Sequence, residues 1–242
     1  MKWAISKNFG GAENLISIPG FVGGAPIQNI GAYGVEIKDI FVSCSGYSLN
    51  TLEKKKFKLN DCQFSYRSSI FKKSLKNKFI ITEVVLQLSK TNHKISKSYK
   101  SINDALNKKK IQNPTIKDIA RIVSKIRENK LPNPSLIGNS GSFFKNPIVS
   151  IELLNKLKQK FSKLVYFKES VSKYKLSAAW LIENCNFKNI EEKNVGVYKN
   201  QALVIINLGN ATGKEILLFS KKIKSTVLEK FDILLEEEVN II

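Results

Sequence analysis

Histidine, cysteine and arginine are scarce in this chain of 242 residues. The single histidine, His93, lies in a polar stretch, so a histidine-based metal centre or a Ser-His-Asp triad has little to work with. The three cysteines, Cys44, Cys62 and Cys185, stand far apart without metal-ligand spacing. An odd number argues against a secreted disulfide framework and for buried reduced thiols, and no metal site is expected. No uninterrupted apolar run is long enough to span a bilayer. The first eight residues lack the apolar core of a signal peptide. A cytoplasmic location with no membrane partner is the resulting expectation. Only Arg67, Arg121 and Arg127 supply arginine among 40 basic residues. Arginine is the usual reader of bases and phosphates, so its shortage weakens a nucleic-acid reading.

What the chain has in excess is lysine. The formal net charge is +20 and the pI about 9.8. The lysines are spread over the whole length, alongside abundant Asn and Ile, as the codon bias of an AT-rich genome produces. A solvated lysine surface is the reading preferred over a nucleic-acid footprint, and no nucleic-acid partner is expected. The field still attracts anionic ligands, nucleotides included. The length suits one large domain or two smaller ones, and 43% hydrophobic residues give it material for a core.

The densest stretch is Gly138-Asn139-Ser140-Gly141-Ser142-Phe143-Phe144-Lys145-Asn146-Pro147. Glycine permits positive φ and close approach to a ligand. Ser142 is therefore either held out on a functional loop or placed in a tight turn between two elements. Phe143 and Phe144 either anchor that loop in a core or wall a dry pocket. Upstream, Gly10 to Gly34 packs seven glycines and two prolines into 25 residues, which excludes a regular helix or central strand. Successive N–H groups at such turns make an anion-binding concavity, to which Gln28 and Asn29 add side-chain donors. A diphosphate fits it; the alternative is an elaborate loop with no ligand.

Val35 to Tyr47 is predicted to be a strand, and Phe79 to Leu88 a second one, dense in β-branched residues. Thr115 is expected to cap a helix with Asp118, placing Ile116, Ile119, Ala120, Val123 and Ile126 on one face and ending near Asn129. Ser150 is expected to cap a helix through Leu164, with Leu153, Leu154, Leu157 and Phe161 inward. Lys175 to Glu183 reads as a short helix with Trp180 in the core, and Ala202 to Asn207 as a strand. Thr212 and Glu215 form a capping box for a helix that buries Ile216, Phe219, Ile223 and Val227. The glycines beside that box lack Walker spacing, so a cap is preferred to a phosphate site. An isolated Arg such as Arg67 is ordinarily an ion-pair partner. The acids of Leu234 to Ile242 ordinarily mark a solvated edge.

Together these blocks resemble the UDP-N-acetylenolpyruvoylglucosamine reductase family, also called UDP-N-acetylmuramate dehydrogenases. Gly138 to Pro147 is similar to the family's G-N-A-G-S-F-F-K-N-P signature. Tyr66 to Lys72 resembles Y-R-D-S-x-F-K, with Ser68 in place of the Asp that would orient Arg67. Ile126 to Pro134 resembles I-R-x-x-K-L-P-x-P, and Lys175 to Ile182 resembles K-L-S-A-G-W-L-I. Leu235 to Val239 resembles L-E-P-E-V, with Glu237 in place of Pro. The similarity runs from about Gly10 to the C-terminus.

The resemblance implies an α+β fold. Residues 1–131 would be a partial FAD-binding domain of the vanillyl-alcohol-oxidase-like type. Residues 132–232 would be a smaller α/β substrate-binding domain, and 233–242 a C-terminal strand returning to the active site. It implies NADPH-driven, FAD-dependent reduction of UDP-N-acetylglucosamine enolpyruvate to UDP-N-acetylmuramate, a peptidoglycan precursor, by a monomer. Arg67, Ser142 and Glu238 would be catalytic. Ile18, Pro19, Gly20, Gly23, Gly24, Ile27, Gln28, Asn29, Gly31, Ala32, Tyr33, Gly34 and Ile81 would contact FAD. Tyr99, Lys130, Asn146, Lys188 and Gln201 would hold substrate. The family's N-terminal region, with a G-G-G-S-N-type diphosphate loop, is not in this sequence: either the sequence starts at an internal Met or the protein has lost part of its flavin site. Weak FAD retention is therefore expected, and the alternative is a non-catalytic remnant that binds nucleotides or nucleic acid through its basic surface.

Overall fold

A computed structural model describes residues Met1–Ile242. The chain forms two compact units, Met1–Arg127 and Glu128–Ile242. Every strand pair in both is antiparallel. Helix and sheet are thus mixed as in an α+β fold, and the second unit contains no parallel βαβ crossover, contrary to the α/β expectation for it. No helix is long and apolar enough to cross a membrane.

In the first unit a three-stranded sheet runs in the order Lys54–Lys58, Phe41–Ser48, Phe79–Leu86. Its register decides which side chains share a face. Cys44 lies opposite Phe57 and Val84, and this face covers an aromatic core with Phe41, Phe64, Phe71 and Phe79. Rings there meet edge-on at about the separations aromatic pairs prefer, Phe57 being 5.2 Å from Phe71 and 5.1 Å from Phe79. On the other face Lys58, Lys56 and Lys54 stand opposite Ser43, Ser45 and Tyr47, and lysines on an edge strand discourage pairing with another chain. The register shifts between Ser45 and Gly46. A Cβ on Gly46 would stand 1.9 Å from the Ile80 carbonyl oxygen, so only glycine fits at that bulge. The helices Lys100–Lys108 and Ile116–Lys130 bury Ile102, Leu106, Ile119 and Val123 in a separate cluster. Thr115 caps the second as expected: its Oγ1 accepts from the Asp118 N–H, and the Asp118 carboxylate accepts from the Thr115 N–H.

Val35 to Tyr47 is not one strand. Val35–Glu36 pairs with Gly31–Ala32, a 3-10 turn follows at Ile37–Asp39, and the long strand begins at Phe41. The interruption has a local cause. The Asp39 carboxylate accepts from the Glu36 N–H at 2.8 Å, drawing the chain into a capped turn. Cys44 and Cys62 are buried and reduced, whereas Cys185 is only half-buried.

The second unit holds a four-stranded sheet ordered Glu191–Glu192, Val195–Val197, Val204–Asn207, Gly138–Ser142, and a three-stranded one ordered Ile148–Ser150, Lys173–Leu176, Tyr166–Lys168. Its core gathers Phe143, Phe144, Leu176, Leu181, Ile182, Ile223, Val227 and Phe231, with Trp180 packed against it beside Phe161 and Phe231. Three expectations are corrected here, and one strand is added. Gly138–Ser142 is an edge strand, because Val204–Asn207 supplies a partner for its backbone. The helix from Ser150 ends at Lys160, short of Leu164. Lys175 and Leu176 belong to a strand, and the helix is Ala178–Asn184, capped by Ser177. Val195–Val197 is itself a strand. The capping box at Thr212 and Glu215 opens the long helix Gly213–Phe231. After it, residues 233–242 form no regular strand and make a single bridge, Phe144 to Glu237.

Candidate active site

The glycine-rich segment of the first unit is built against the strand Phe79–Leu86. Gly23 presses on it: a Cβ there would lie 2.8 Å from the Ile81 carbonyl oxygen. Around Gly23 the surface is open. Pro19, Gly20, Gly24 and Ile27 are exposed and Ile18 half-buried, and a Cβ on Gly20 or Gly24 would meet nothing within 4 Å. The 3-10 turn Val22–Gly24 leaves its first N–H groups without a partner inside the turn. Further on, Ala32 pairs with Val35 across a two-residue turn in which Tyr33 has φ 51° and Gly34 φ 81°. Positive φ at both positions is what a tight hairpin of this hand requires. Asn14 holds that turn by donating to the carbonyls of Tyr33 at 2.9 Å and Ser96 at 3.2 Å. Gln28 accepts from Lys72 Nζ.

Asn29 is placed differently from the donor role expected of it. Its side chain is fully buried and spent within the protein. Nδ2 donates to Glu36 Oε2 at 2.8 Å and to the Ser65 carbonyl at 3.1 Å, while Oδ1 accepts from the Lys38 N–H at 3.1 Å. This ties the hairpin to the turn that carries Arg67, where Ser65 and Ser68 exchange backbone hydrogen bonds. Arg67 itself has φ 51°. Its guanidinium donates to the Gly31 carbonyl at 2.9 Å and lies 5.4 Å from the Tyr66 ring centroid. A backbone carbonyl thus orients Arg67 where the family motif has an Asp. Tyr99 packs edge-on against Tyr33 at 5.2 Å. Burial raises both phenols above their usual range, against the pull of Arg127 on Tyr33.

In the second unit Ser142 is half-buried at the end of its edge strand, opposite Val204. Phe143 and Phe144 turn into the core directly after it. The chain end comes back to this point. The Glu238 N–H donates to the Phe143 carbonyl at 2.8 Å, and the Lys145 N–H to the Glu236 carbonyl at 2.9 Å. Ser142 and Glu238 are therefore one backbone hydrogen bond and one residue apart, although about a hundred positions separate them in sequence. Glu237 is held by Lys224 Nζ at 2.7 Å. Its burial raises the carboxyl pKa, but the Lys224 and backbone hydrogen bonds lower it further, so that the net shift is downward.

Of the residues expected to hold substrate, Tyr99 lies in the first unit, and Lys130, Asn146, Lys188 and Gln201 lie in this one. Asn146 Oδ1 accepts from the Ala178 N–H at 2.9 Å, at the start of the helix Ala178–Asn184. At the other end of that helix, Glu183 pairs with Lys188 at 3.0 Å. Lys130 is near both. Loss of hydration around its ammonium lowers its pKa, Glu183 opposes this and Lys188 adds to it, although the residue as a whole is exposed. Gln201 is buried beside Asn200, which donates to the Asn129 carbonyl at 3.0 Å.

The model of the family described as UDP-N-acetylenolpyruvoylglucosamine reductase, C-terminal domain, matches residues 133–242. A UDP-N-acetylenolpyruvoylglucosamine reductase of Flavobacterium johnsoniae is 50% identical over 240 residues, covering 99% of this chain and 71% of the relative. The chain belongs to the UDP-N-acetylenolpyruvoylglucosamine reductase family. The reductase of Amoebophilus asiaticus is 45% identical over 240 residues, with 99% and 70% covered. In fold, the chain is similar to the crystal structure of the Thermus caldophilus reductase, with a TM-score of 0.66 at 20% identity, over 99% of this chain and 66% of that one. The chain thus spans about 70% of the curated reductases it matches and just under two thirds of the solved one.

Within this reductase-family chain the structure adds residues that sequence reading passed over. Asn14 and Glu36 support the Tyr33 and Arg67 turns, and Arg127, which donates to the Ser17 carbonyl, acts electrostatically on Tyr33. Arg127 had a signal, being one of only three arginines. Glu183 had none, since a lone acid five residues before a lysine is unremarkable on any helix.

Proposed function

We propose that the chain carries out the reduction of UDP-N-acetylglucosamine enolpyruvate to UDP-N-acetylmuramate with NADPH, using FAD. The observation that carries the reading is the pairing of Ser142 with Glu238 through the Phe143 carbonyl, in a chain half identical to a reductase over nearly its full length. The open surface at Gly20 and Gly24 and the closeness of Gly23 to Ile81 fit a flavin lying on this loop. Ile18, Pro19, Gly20, Gly23, Gly24, Ile27, Gln28, Gly31, Ala32, Tyr33, Gly34 and Ile81 would hold it, with Asn29 bracing them from beneath. FAD, when bound, supplies hydride transfer from NADPH to the enolpyruvyl carbon.

The chain's own residues do the rest. Ser142 gives its hydroxyl proton to the carbon next to the one that gains hydride. A serine hydroxyl is a weak acid and needs polar support to donate. Arg67 and Glu238 stabilise the negative charge that develops on the substrate's carboxylate-conjugated carbon, by charge-assisted hydrogen bonds. Tyr99, Lys130, Asn146, Lys188 and Gln201 bind the substrate. In this reading residues 1–131 are the flavin-contacting domain, 132–232 the substrate-binding domain, and 233–242 the segment that delivers Glu238.

The test is Ser142→Ala in the flavin-loaded protein, followed by stopped flow. NADPH-driven bleaching of the flavin should be nearly unchanged. Reoxidation by the enolpyruvyl substrate should slow by about 10²–10⁴-fold, the range for losing a general acid. Full tolerance of alanine in both half-reactions would refute the proton-donor role. A colourless protein that cannot be loaded with FAD would favour the non-catalytic remnant.

A further inference from the structure

Lys130 and Lys188 do not stand alone. Glu183 Oε1 lies 3.0 Å from Lys188 Nζ, and the Lys130 ammonium feels both of them. Three separate elements bring these charges together. Lys130 is the last residue of the helix Ile116–Lys130, whose end is pinned by the hydrogen bond from Asn200 to the Asn129 carbonyl. Glu183 sits on the helix Ala178–Asn184, which is anchored by the fully buried Leu181 and Ile182. Lys188 lies in the turn closed by the hydrogen bond from the Ile190 N–H to the Phe187 carbonyl. Two cations carried close to one another suit a ligand with two negative charges. A carboxylate between them works against such a ligand.

We infer that Glu183 is the resident counter-ion of a diphosphate site formed by Lys130 and Lys188, and that it limits the affinity of that site. This rests on the reading that these lysines hold the substrate; what is new is the role of Glu183 and its sign. Without an anion bound, Glu183 relieves the repulsion between two ammonium groups. When a diphosphate arrives, its oxygens compete with Glu183 for Lys188. The Glu183–Lys188 pair is partly exposed, so little is lost on parting it. The remaining carboxylate then repels the ligand. Substrate and product carry the same uridine diphosphate, so a site that gripped this group fully would also retain the product. Glu183 keeps the grip loose enough for exchange.

The test is calorimetric titration of the 242-residue chain with UDP at low ionic strength. Glu183→Gln, which removes the charge and keeps the shape, should tighten UDP binding by about three- to ten-fold, the scale of one partly screened charge–charge contact. Glu183→Asp, which keeps the charge, should stay near the wild type. Lys130→Met and Lys188→Met should each weaken UDP, and none of the four should change the response to uridine. A purely structural role for Glu183 predicts weaker binding in the Gln variant. Unchanged or weaker UDP binding by Glu183→Gln, with both lysine variants still impaired, overturns the inference alone. If both lysine variants bind UDP as the wild type does, the assignment of the site fails and the inference with it. Absence of UDP binding by wild type and Gln variant alike overturns it too.

Discussion

Asn29 shows how much one buried amide can carry. Its buried side chain bonds to Glu36, Lys38 and Ser65 of the first unit. Asn29→Ala would take a partner from the Lys38 N–H and the Ser65 carbonyl, and from the Glu36 carboxylate, which keeps its 2.8 Å ion pair with Lys38. Unmet buried groups cost about 1–3 kcal/mol each, and relaxation recovers part of this, so a loss of about 2–4 kcal/mol in urea unfolding is expected. A loss below about 1 kcal/mol would show that the network is incidental. Sequence reading found Asn29 by its place among glycines but took its amide as a ligand donor. Only the three-dimensional partners, one of them 36 residues away, reveal that the amide is already engaged. Ser142 and Glu238 were legible as candidates through their motifs. Their adjacency was not, because no local pattern encodes a contact between an edge strand and the chain terminus.

Elements divide by the range of the interactions that make them. The helix starts at Thr115, Ser150 and Thr212 were legible because a cap is a bond between residues two or three apart. Strands were less so. Gly138–Ser142 is poor in strand formers and is a strand only because Val204–Asn207 lies beside it. Val35 to Tyr47 alternates like a strand, yet Asp39 and Asn29 take its N–H groups at Glu36 and Lys38 and turn the chain. The bulge at Gly46 belongs to this scale as well. Gly46→Ala would set a methyl group against the Ile80 carbonyl and the Ile81 Cα. The two strands must then separate or shift, and overpacking of this kind costs about 1–3 kcal/mol or more. Chemical denaturation should show that loss, and hydrogen exchange should place it in Phe41–Ser48 and Phe79–Leu86. A variant as stable as the wild type would mean that the bulge can re-register freely.

For the whole molecule the dominant fact is the net charge of +20. So much charge of one sign repels itself and opposes the compact state. Raising ionic strength from about 0.01 M to about 0.15 M shortens the screening length from about 30 Å to about 8 Å, and the Tm should rise. A Tm that falls over this range would mean that ion pairs outweigh the repulsion. The chain end should answer salt the other way. Residues 236–238 are tied to Phe143 and Lys145 by two backbone hydrogen bonds, flanked by the Lys145–Glu236 and Lys224–Glu237 pairs. This tether lies close to the chain end, between the buried Leu235 and the core-packed Val239, and opens locally as segments near a terminus do. The Glu238 and Lys145 amides should exchange with deuterium together, and faster than the buried amide of Val204. Added salt weakens the two flanking pairs and should quicken that exchange even as the molecule resists heat better. The carboxyl proposed as catalytic would then spend a salt-dependent fraction of its time detached, and activity at high salt would decline by absence of Glu238, with the fold intact.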